Sequence, residues 1–450
     1  MKKYFFLYRL ATSAAGLAGW PWFYWHLRTR GRGESFLPRL GLKLPAAGPP
    51  LGRPRLWVHG VSVGEILAAV PLAQELKAML PELGLIISTG TETGQAVARG
   101  HFQPLEALVC YFPLDLPWAV ARYLDYLKPH LYISLESEIW PNFLVAAHRR
   151  GVRLALLNAR LSDRSFARFQ RYNKYLFDII NLFEVIAAGS PQDYERLRSL
   201  GLPPDKLHLT GNLKVDSLWR RMSEIGLKDL SEGKQGLPSG SLPSSIQAAL
   251  GALPGQPVFL AASTHSGEEN TVLEAYERLL GPYPTLLLVL APRHPERVQE
   301  IGRLLQERGL RYQCWQRLKS GEENRTQAVV LVDTIGDLLG LYGAATVAFV
   351  GGSLVPHGGQ NILEAAAWGL APIYGPYLTN FRWAQELLEG VEGGFLVEGV
   401  DSLTSTARSL LDHPELRLAA GRRGREALAG HLGAARRQAQ LVANLLEKTR

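Results

Sequence analysis

The sequence predicts an α/β protein built as two doubly wound halves, and three observations predict it. From residue 55 onward, short β-rich apolar runs alternate with amphipathic stretches, the pattern of parallel strands joined by crossover helices. The alternation breaks once, over residues 226–256, where GKQGLPSGSLPSS supplies turn residues and little periodicity, and then resumes. A chain of 450 residues that is 46% hydrophobic can also bury a large core, divided over two or three domains.

Taken in order, the predicted strands of the first half are 55–59, 85–88, 107–111, 131–135, 153–157 and 185–188, with helix-like segments such as 66–80 and 118–127 between them. Those of the second half are 258–262, 285–290, 329–332, 347–350 and 372–374. The expected organisation is 1–32 as a membrane anchor, 33–225 as the first domain, 226–256 as the linker and 257–450 as the second domain. The last helices are candidates for a return to the first. Sheets of this kind bind ligands outside the carboxyl ends of their strands, and a site shared by two halves is expected in the cleft between them.

The formal charge of +8 is placed unevenly. Through residue 55 there are ten basic residues and one acid, Glu34, so the rest of the chain is close to neutral. A protein tracking a phosphate backbone needs a basic stripe on its folded body, which argues against nucleic-acid binding. The basic leader instead frames an apolar run between Arg9 and His26 that ends in Trp20, Trp22, Phe23, Tyr24 and Trp25, followed by Arg28, Arg30 and Arg32. Aromatic residues beside a basic cluster suit the headgroup layer of an anionic membrane. A signal peptide and an ordinary buried helix are the other readings, the first weakened by the absence of a small-x-small cleavage site. Cys110 and Cys314 lie far apart in apolar or aromatic surroundings, so they read as free thiols.

The chemistry-bearing motifs fall at predicted strand ends. In WVHGVSVGE, a glycine-bearing turn leads from a strand into a helix beginning near Glu65. A carboxylate in a first helical turn is either a cap or, at a cleft, a general base. In ISLESEIWPN, Glu136 and Glu138 end a buried strand, where carboxylates are costly unless paired or used, and each is a candidate for a direct role. Lys214 of TGNLKVD is a surface charge or a stabiliser of developing negative charge. In the second half, APRHPER offers Arg293 and His294, and DTIGDL spans 333–338. VGGSLVPHGGQNILEAAAWG feeds glycines toward a helix expected near Asn361 and carrying Glu364, an arrangement suited to an anion and a sugar hydroxyl. It is neither G-x-G-x-x-G nor a P-loop, and no metal-binding spacing is present.

The collinear motifs HGVSVGE, YFPLDLP, ESEIWPN, NARLSDRS, TGNLKVD, STHSGEE, APRHPER, DTIGDL and FVGGSLVPHGGQNILEAA resemble those of the 3-deoxy-D-manno-octulosonic acid (Kdo) transferases. The resemblance covers about residues 1–390. It implies the GT-B fold, two Rossmann-like domains with a cleft between them and an N-terminal membrane-associated helix. It also implies transfer of Kdo from CMP-Kdo to a lipid A precursor of the lipid IVA type, in lipopolysaccharide core biosynthesis on the cytoplasmic side of the inner membrane, with no cofactor or metal. Carried onto this chain, the general base falls on Glu65 and the transition-state stabilisers on Glu136 and Lys214. CMP contacts fall on Arg293, His294, Ile335, Gly336, Asp337, Asn361, Ile362, Leu363 and Glu364. Asp337 stands where the family has Glu, and Gln360 and Ile362 stand where it has His and Pro. Another GT-B enzyme using UDP, a glycolipid transferase or sugar-nucleotide epimerase, or a non-catalytic membrane adaptor are the alternatives.

Overall fold

The computed structural model describes residues 2–29, 35–46, 52–171, 173–225 and 244–447. They form two compact units: residues 1–217 with 431–450, and residues 218–430. Each unit contains one seven-stranded sheet in which every pairing is parallel. The change between units at Ser217 lies inside the helix Leu213–Glu224, ahead of the 226–256 segment that the sequence marked as linker. Residues 226–243 of that segment lie outside the described residues, and 244–250 form a helix.

The first sheet comprises Arg55–His59 (β1), Gly84–Thr89 (β2), Leu108–Tyr111 (β3), Leu131–Leu135 (β4), Arg153–Ala159 (β5), Val185–Ala188 (β6) and Leu207–Leu209 (β7), in the order β3-β2-β1-β4-β5-β6-β7. Strands β2 and β4 are buried along their whole length because helices cover both faces, and this explains their unbroken apolar runs. Two cores result, one under each face. Trp57, Tyr132 and Phe143 anchor one, and Leu56, Ile87 and Ile133 anchor the other. The last helix, Ala434–Glu447, joins the second of these cores through Ala435, Ala439 and Val442. It is tied there by Asp216, whose carboxylate accepts from the N–H groups of Gly433 (2.8 Å) and Ala435 (2.6 Å).

The second sheet comprises Val258–Thr264 (β8), Leu287–Pro292 (β9), Tyr312–Cys314 (β10), Val329–Leu331 (β11), Val347–Val350 (β12), Pro372–Tyr374 (β13) and Phe395–Leu396 (β14), in the order β10-β11-β9-β8-β12-β13-β14. In each sheet the strand order reverses direction at one place, between β1 and β4 and between β8 and β12. Sheets of this topology bind ligands outside the carboxyl ends of the two strands at the switch point.

The N-terminal segment forms a single helix, Lys2–Thr29. Tyr8 donates to Asp115 (2.9 Å), Thr12 accepts from Asn142 (3.0 Å) and Phe5 is buried in the first unit's core, so one stripe of this helix packs on that unit. Phe6, Leu7, Leu10 and Leu17 face outward, 64%, 50%, 57% and 69% exposed. No helix among the described residues is long and apolar enough to cross a membrane.

Candidate active site

The first switch point holds the turn after β1. Ser62 is the N-cap of the helix Val63–Met79, and its Oγ accepts from the Glu65 N–H at 3.2 Å. The Glu65 carboxylate returns the bond: Oε1 accepts from Ser62 Oγ (2.7 Å) and Oε2 from the Val61 N–H (2.8 Å). Both readings of Glu65 therefore describe the same atoms, since the reciprocal cap holds the carboxylate in one orientation at the strand end. Gly60 is required by close approach, because a Cβ there would stand 3.0 Å from Glu65 Cβ and 3.4 Å from Leu135 Cδ1. Burial raises the pKa of Glu65, and the nearby Glu136 adds to the rise, against the opposing pull of Ser62, Val61 and Lys214. A carboxylate raised this way is a stronger proton acceptor than an exposed one.

Glu136 follows β4 and adopts φ 57°, a left-handed conformation unusual for a residue with a side chain. Glu136 has thus left the extended backbone of β4. Its Oε1 lies 2.6 Å from Lys214 Nζ, with the two side chains only 13% and 27% exposed. Lys214 is aimed by asparagines: Asn212 Oδ1 accepts from the Lys214 N–H (3.0 Å) and Asn158 Oδ1 from the Leu213 N–H (3.0 Å). These caps supply acceptors for the first amides of the helix Leu213–Glu224, which starts one residue before Lys214.

Glu138 is a third carboxylate of the same cluster. Its pKa is pushed up to about 7, first by burial and then by Glu65, with Glu136 adding to the rise and the Trp140 indole N–H (3.0 Å) opposing it. Three acids share one ammonium group here. Asn158, Asn212 and Ser62 are site residues the sequence does not single out: Ser62 and Asn212 carry a signal, standing immediately before a helix start, whereas Asn158 lies inside β5 and is brought to the helix Leu213–Glu224 only by the fold.

In the second unit, the segments after β8, β9 and β12 converge on His265. Its ring stacks on His357 (4.5 Å between centroids), meets His294 edge-on (5.7 Å) and lies 3.1 Å from Gln360 Nε2. Its pKa falls to about 4, through burial first and then through His357, His294, Arg293 and Arg297. Arg293 is held by its own N–H to Thr264 O (2.9 Å). His265 is thus ringed by His357, His294, Arg293 and Arg297, while the one carboxylate bonded to it, Glu268, meets its backbone N–H.

Two expectations for this unit are corrected. The helix expected near Asn361 begins at Leu363 and runs only to Ala367, with Asn361 Oδ1 accepting from the Leu363 N–H at 3.2 Å. And the glycine-turn amides do not face a ligand. The buried Glu268 carboxylate accepts from the N–H groups of Gly352 (2.6 Å), Ser353 (2.9 Å), Leu354 (2.8 Å) and His265 (2.8 Å). The anion-binding nest is real, but a side chain of the same unit fills it.

The remaining expected contacts are placed as follows. Glu364 pairs with Arg221 (3.1 Å), and Ile362 is buried. Asp337 binds Lys319 (2.6 Å), Thr334 (2.5 Å) and Trp315 Nε1 (3.1 Å), so its carboxylate serves the turn. That leaves Ile335, 88% exposed, and Gly336, at φ 100°, as the presented part of the segment. A surface hollow of about 1050 Å³ along Tyr312, Arg317 and Asp333 contains none of these site residues.

Known proteins decide the family. Residues 34–217 match the model of the 3-deoxy-D-manno-octulosonic-acid transferase (kdotransferase) family. A 3-deoxy-D-manno-octulosonic acid transferase of Haemophilus influenzae is 34% identical over 406 residues, covering 89% of this chain and 88% of the relative. The chain belongs to the Kdo transferase family. A Bordetella pertussis member is 33% identical over 452 residues, covering 96% of this chain and 97% of its own. The members are glycosyltransferases, and the chain is an enzyme of that class. The fold is also that of the UDP-GlcNAc 2-epimerase of Neisseria meningitidis, with a TM-score of 0.60 at 16% identity over 88% of this chain and 99% of that one. Two parallel-sheet α/β domains in GT-B-like company are what this Kdo transferase presents.

Proposed function

We propose that this Kdo transferase moves Kdo from CMP-Kdo to a hydroxyl of a lipid A precursor by a single displacement. Glu65 takes the proton of the acceptor hydroxyl, whose oxygen attacks the anomeric carbon of Kdo as the bond to the CMP phosphate breaks. The observation that carries this reading is the switch-point cluster: a doubly held Glu65 of raised pKa beside the 2.6 Å Glu136–Lys214 pair. A base fixed before the reaction needs no reorganisation when the proton moves. Lys214, preorganised by its ion pair, offsets charge that develops in the transition state.

The donor is assigned to the second unit, at Arg293, His294, the turn Ile335 to Asp337, and Asn361 to Glu364. Because Glu268 holds the glycine-turn amides, charge on the CMP phosphate falls to the Arg293 guanidinium and the polar groups about His265. Ile335 and Gly336 would meet the nucleotide through an apolar side chain and backbone rather than through Asp337. No metal is assigned to the step.

Residues 1–32 are proposed to hold the enzyme on the inner membrane, facing the cytoplasm, where the acceptor lipid resides. Support comes from the outward stripe Phe6, Leu7, Leu10 and Leu17, and from the basic residues around it in sequence. Mass spectrometry of the product formed by the enzyme, CMP-Kdo and a lipid IVA acceptor tests the reaction. One added Kdo mass or more is the expected result, and an unmodified acceptor beside hydrolysed or intact donor contradicts it.

A further inference from the structure

Arg39 ends the short helix Phe36–Arg39 and reaches the carboxyl end of the first sheet, where Nη1 donates to the Gly90 carbonyl at 3.3 Å. Its Nε is buried without an acceptor. No Asp or Glu among the described residues pairs with it, unlike Arg153, Arg196 and Arg297, which meet Glu184, Asp163 and Glu269. Burial lowers its pKa, with the nearby phenols Tyr123 and Tyr111 opposing that shift.

Its other neighbour of note is His59, the last residue of β1. That ring lies flat on Phe112 (3.8 Å, 14°), and its Nδ1 is 3.1 Å from the Ser88 carbonyl. Nδ1 is also 3.1 Å from the Ser88 hydroxyl, and Nε2 is buried without a hydrogen-bond partner. Burial and the charge of Arg39 both disfavour a proton on this imidazole, which holds it neutral. Among the described residues the groups around the guanidinium are therefore neutral, and a buried charge without a counter-charge is costly by several kcal/mol.

Arg39 also stands next to the reacting turn. Gly90, its carbonyl partner, packs on Val61, where an added Cβ would come within 3.0 Å of Cγ1, and the Val61 N–H is one of the two bonds holding Glu65. A planar guanidinium with free donors is suited to a two-pronged bond with an oxyanion, which also supplies the missing counter-charge.

We propose that Arg39 binds an oxyanion of a bound substrate, positioning the hydroxyl that Glu65 deprotonates. Two sources share this chemistry, a phosphate of the acceptor glycolipid and the carboxylate of the donor sugar, and the place of Arg39 beside the Glu65 turn favours the acceptor. The inference rests on the transfer reaction proposed above.

The test uses the full chain, with Arg39→Ala and Arg39→Lys, CMP-Kdo, and lipid IVA acceptors with and without phosphate. The expected result is an acceptor KM raised at least tenfold in Arg39→Ala, a smaller rise in Arg39→Lys, and kcat within threefold of wild type. On the phosphate-free acceptor the difference between wild type and variants shrinks. A rise in donor KM alone supports the oxyanion role and assigns it to the sugar carboxylate. Wild-type KM values for both substrates in both variants overturn the proposal. Should Arg39→Ala fail to fold, Arg39→Lys carries the same comparison, because it keeps the charge and loses the fork. Thermal unfolding in inorganic phosphate gives a readout that needs no turnover: a rise in wild-type midpoint that Arg39→Lys weakens is expected, and equal rises count against the site. Absence of transfer by the wild-type enzyme would overturn the reaction and leave Arg39 to be judged by that phosphate response.

Discussion

Replacing Glu138 with Gln removes the cost of burying an ionisable carboxylate beside Glu65 and Glu136. In the folded enzyme the Glu138 pKa is about 7, against an ordinary 4.5. Below pH 4.5 the group is protonated in folded and unfolded chains alike, and its ionisation costs nothing. As pH rises toward 7 the unfolded chain releases the proton while the folded one retains it, so stability falls across that window and is flat above it. At about 1.36 kcal/mol per pKa unit the full cost is roughly 3 kcal/mol, and partial exposure of the side chain trims it to about 2 kcal/mol. Gln keeps an oxygen for the Trp140 indole N–H and cannot ionise. Urea unfolding followed by tryptophan fluorescence should show Glu138→Gln gaining about 2 kcal/mol on wild type between pH 5 and pH 8. A difference between the two proteins that does not change with pH would refute the reasoning.

Three other outcomes are expected. Lys214→Ala leaves Glu136 buried without its cation, and should cost about 2–4 kcal/mol in stability and at least 100-fold in kcat. It should also move the acid limb to higher pH, since Lys214 opposes the raised pKa of Glu65; an unmoved pH profile would count against the coupling. Glu268→Ala strips the acceptor from four N–H groups, about 1 kcal/mol or more each, and calorimetry should show the second unit melting at least 10 °C earlier with CMP binding lost. Replacing Phe6, Leu10 and Leu17 together with Ser should cut cosedimentation with anionic vesicles several-fold without a change in circular dichroism, and undiminished cosedimentation would remove this stripe from the membrane role.

The parts of the fold legible in the sequence are those where burial acts on every residue of an element. β1, β4, β6, β12 and β13 have the bounds that their apolar runs predict, because covered parallel strands must be apolar on both faces. β7, β10 and β14 were not legible. They are two or three residues long, partly exposed, and lie at or near the sheet edges, where neighbouring strands rather than composition create them. The site divides in the same way. Glu65 is readable because Ser62 and Glu65 form a local cap, whereas the Glu136–Lys214 pair joins two strand ends distant in sequence. The glycine turn after β12 misleads for the same reason, since the carboxylate that fills it belongs to the helix Glu268–Leu280. Arg39 carries no motif at all. Only the folded surroundings reveal that no Asp or Glu among the described residues pairs with it.

The most direct test of the account compares Glu65→Gln with wild type in turnover and in calorimetric titration with CMP. Gln preserves the acceptor oxygen for the Val61 N–H but cannot take a proton, so transfer should fall at least 1000-fold while the CMP affinity stays within twofold. Transfer at the wild-type rate by Glu65→Gln would contradict the assignment of the base, and with it the mechanism built on that carboxylate.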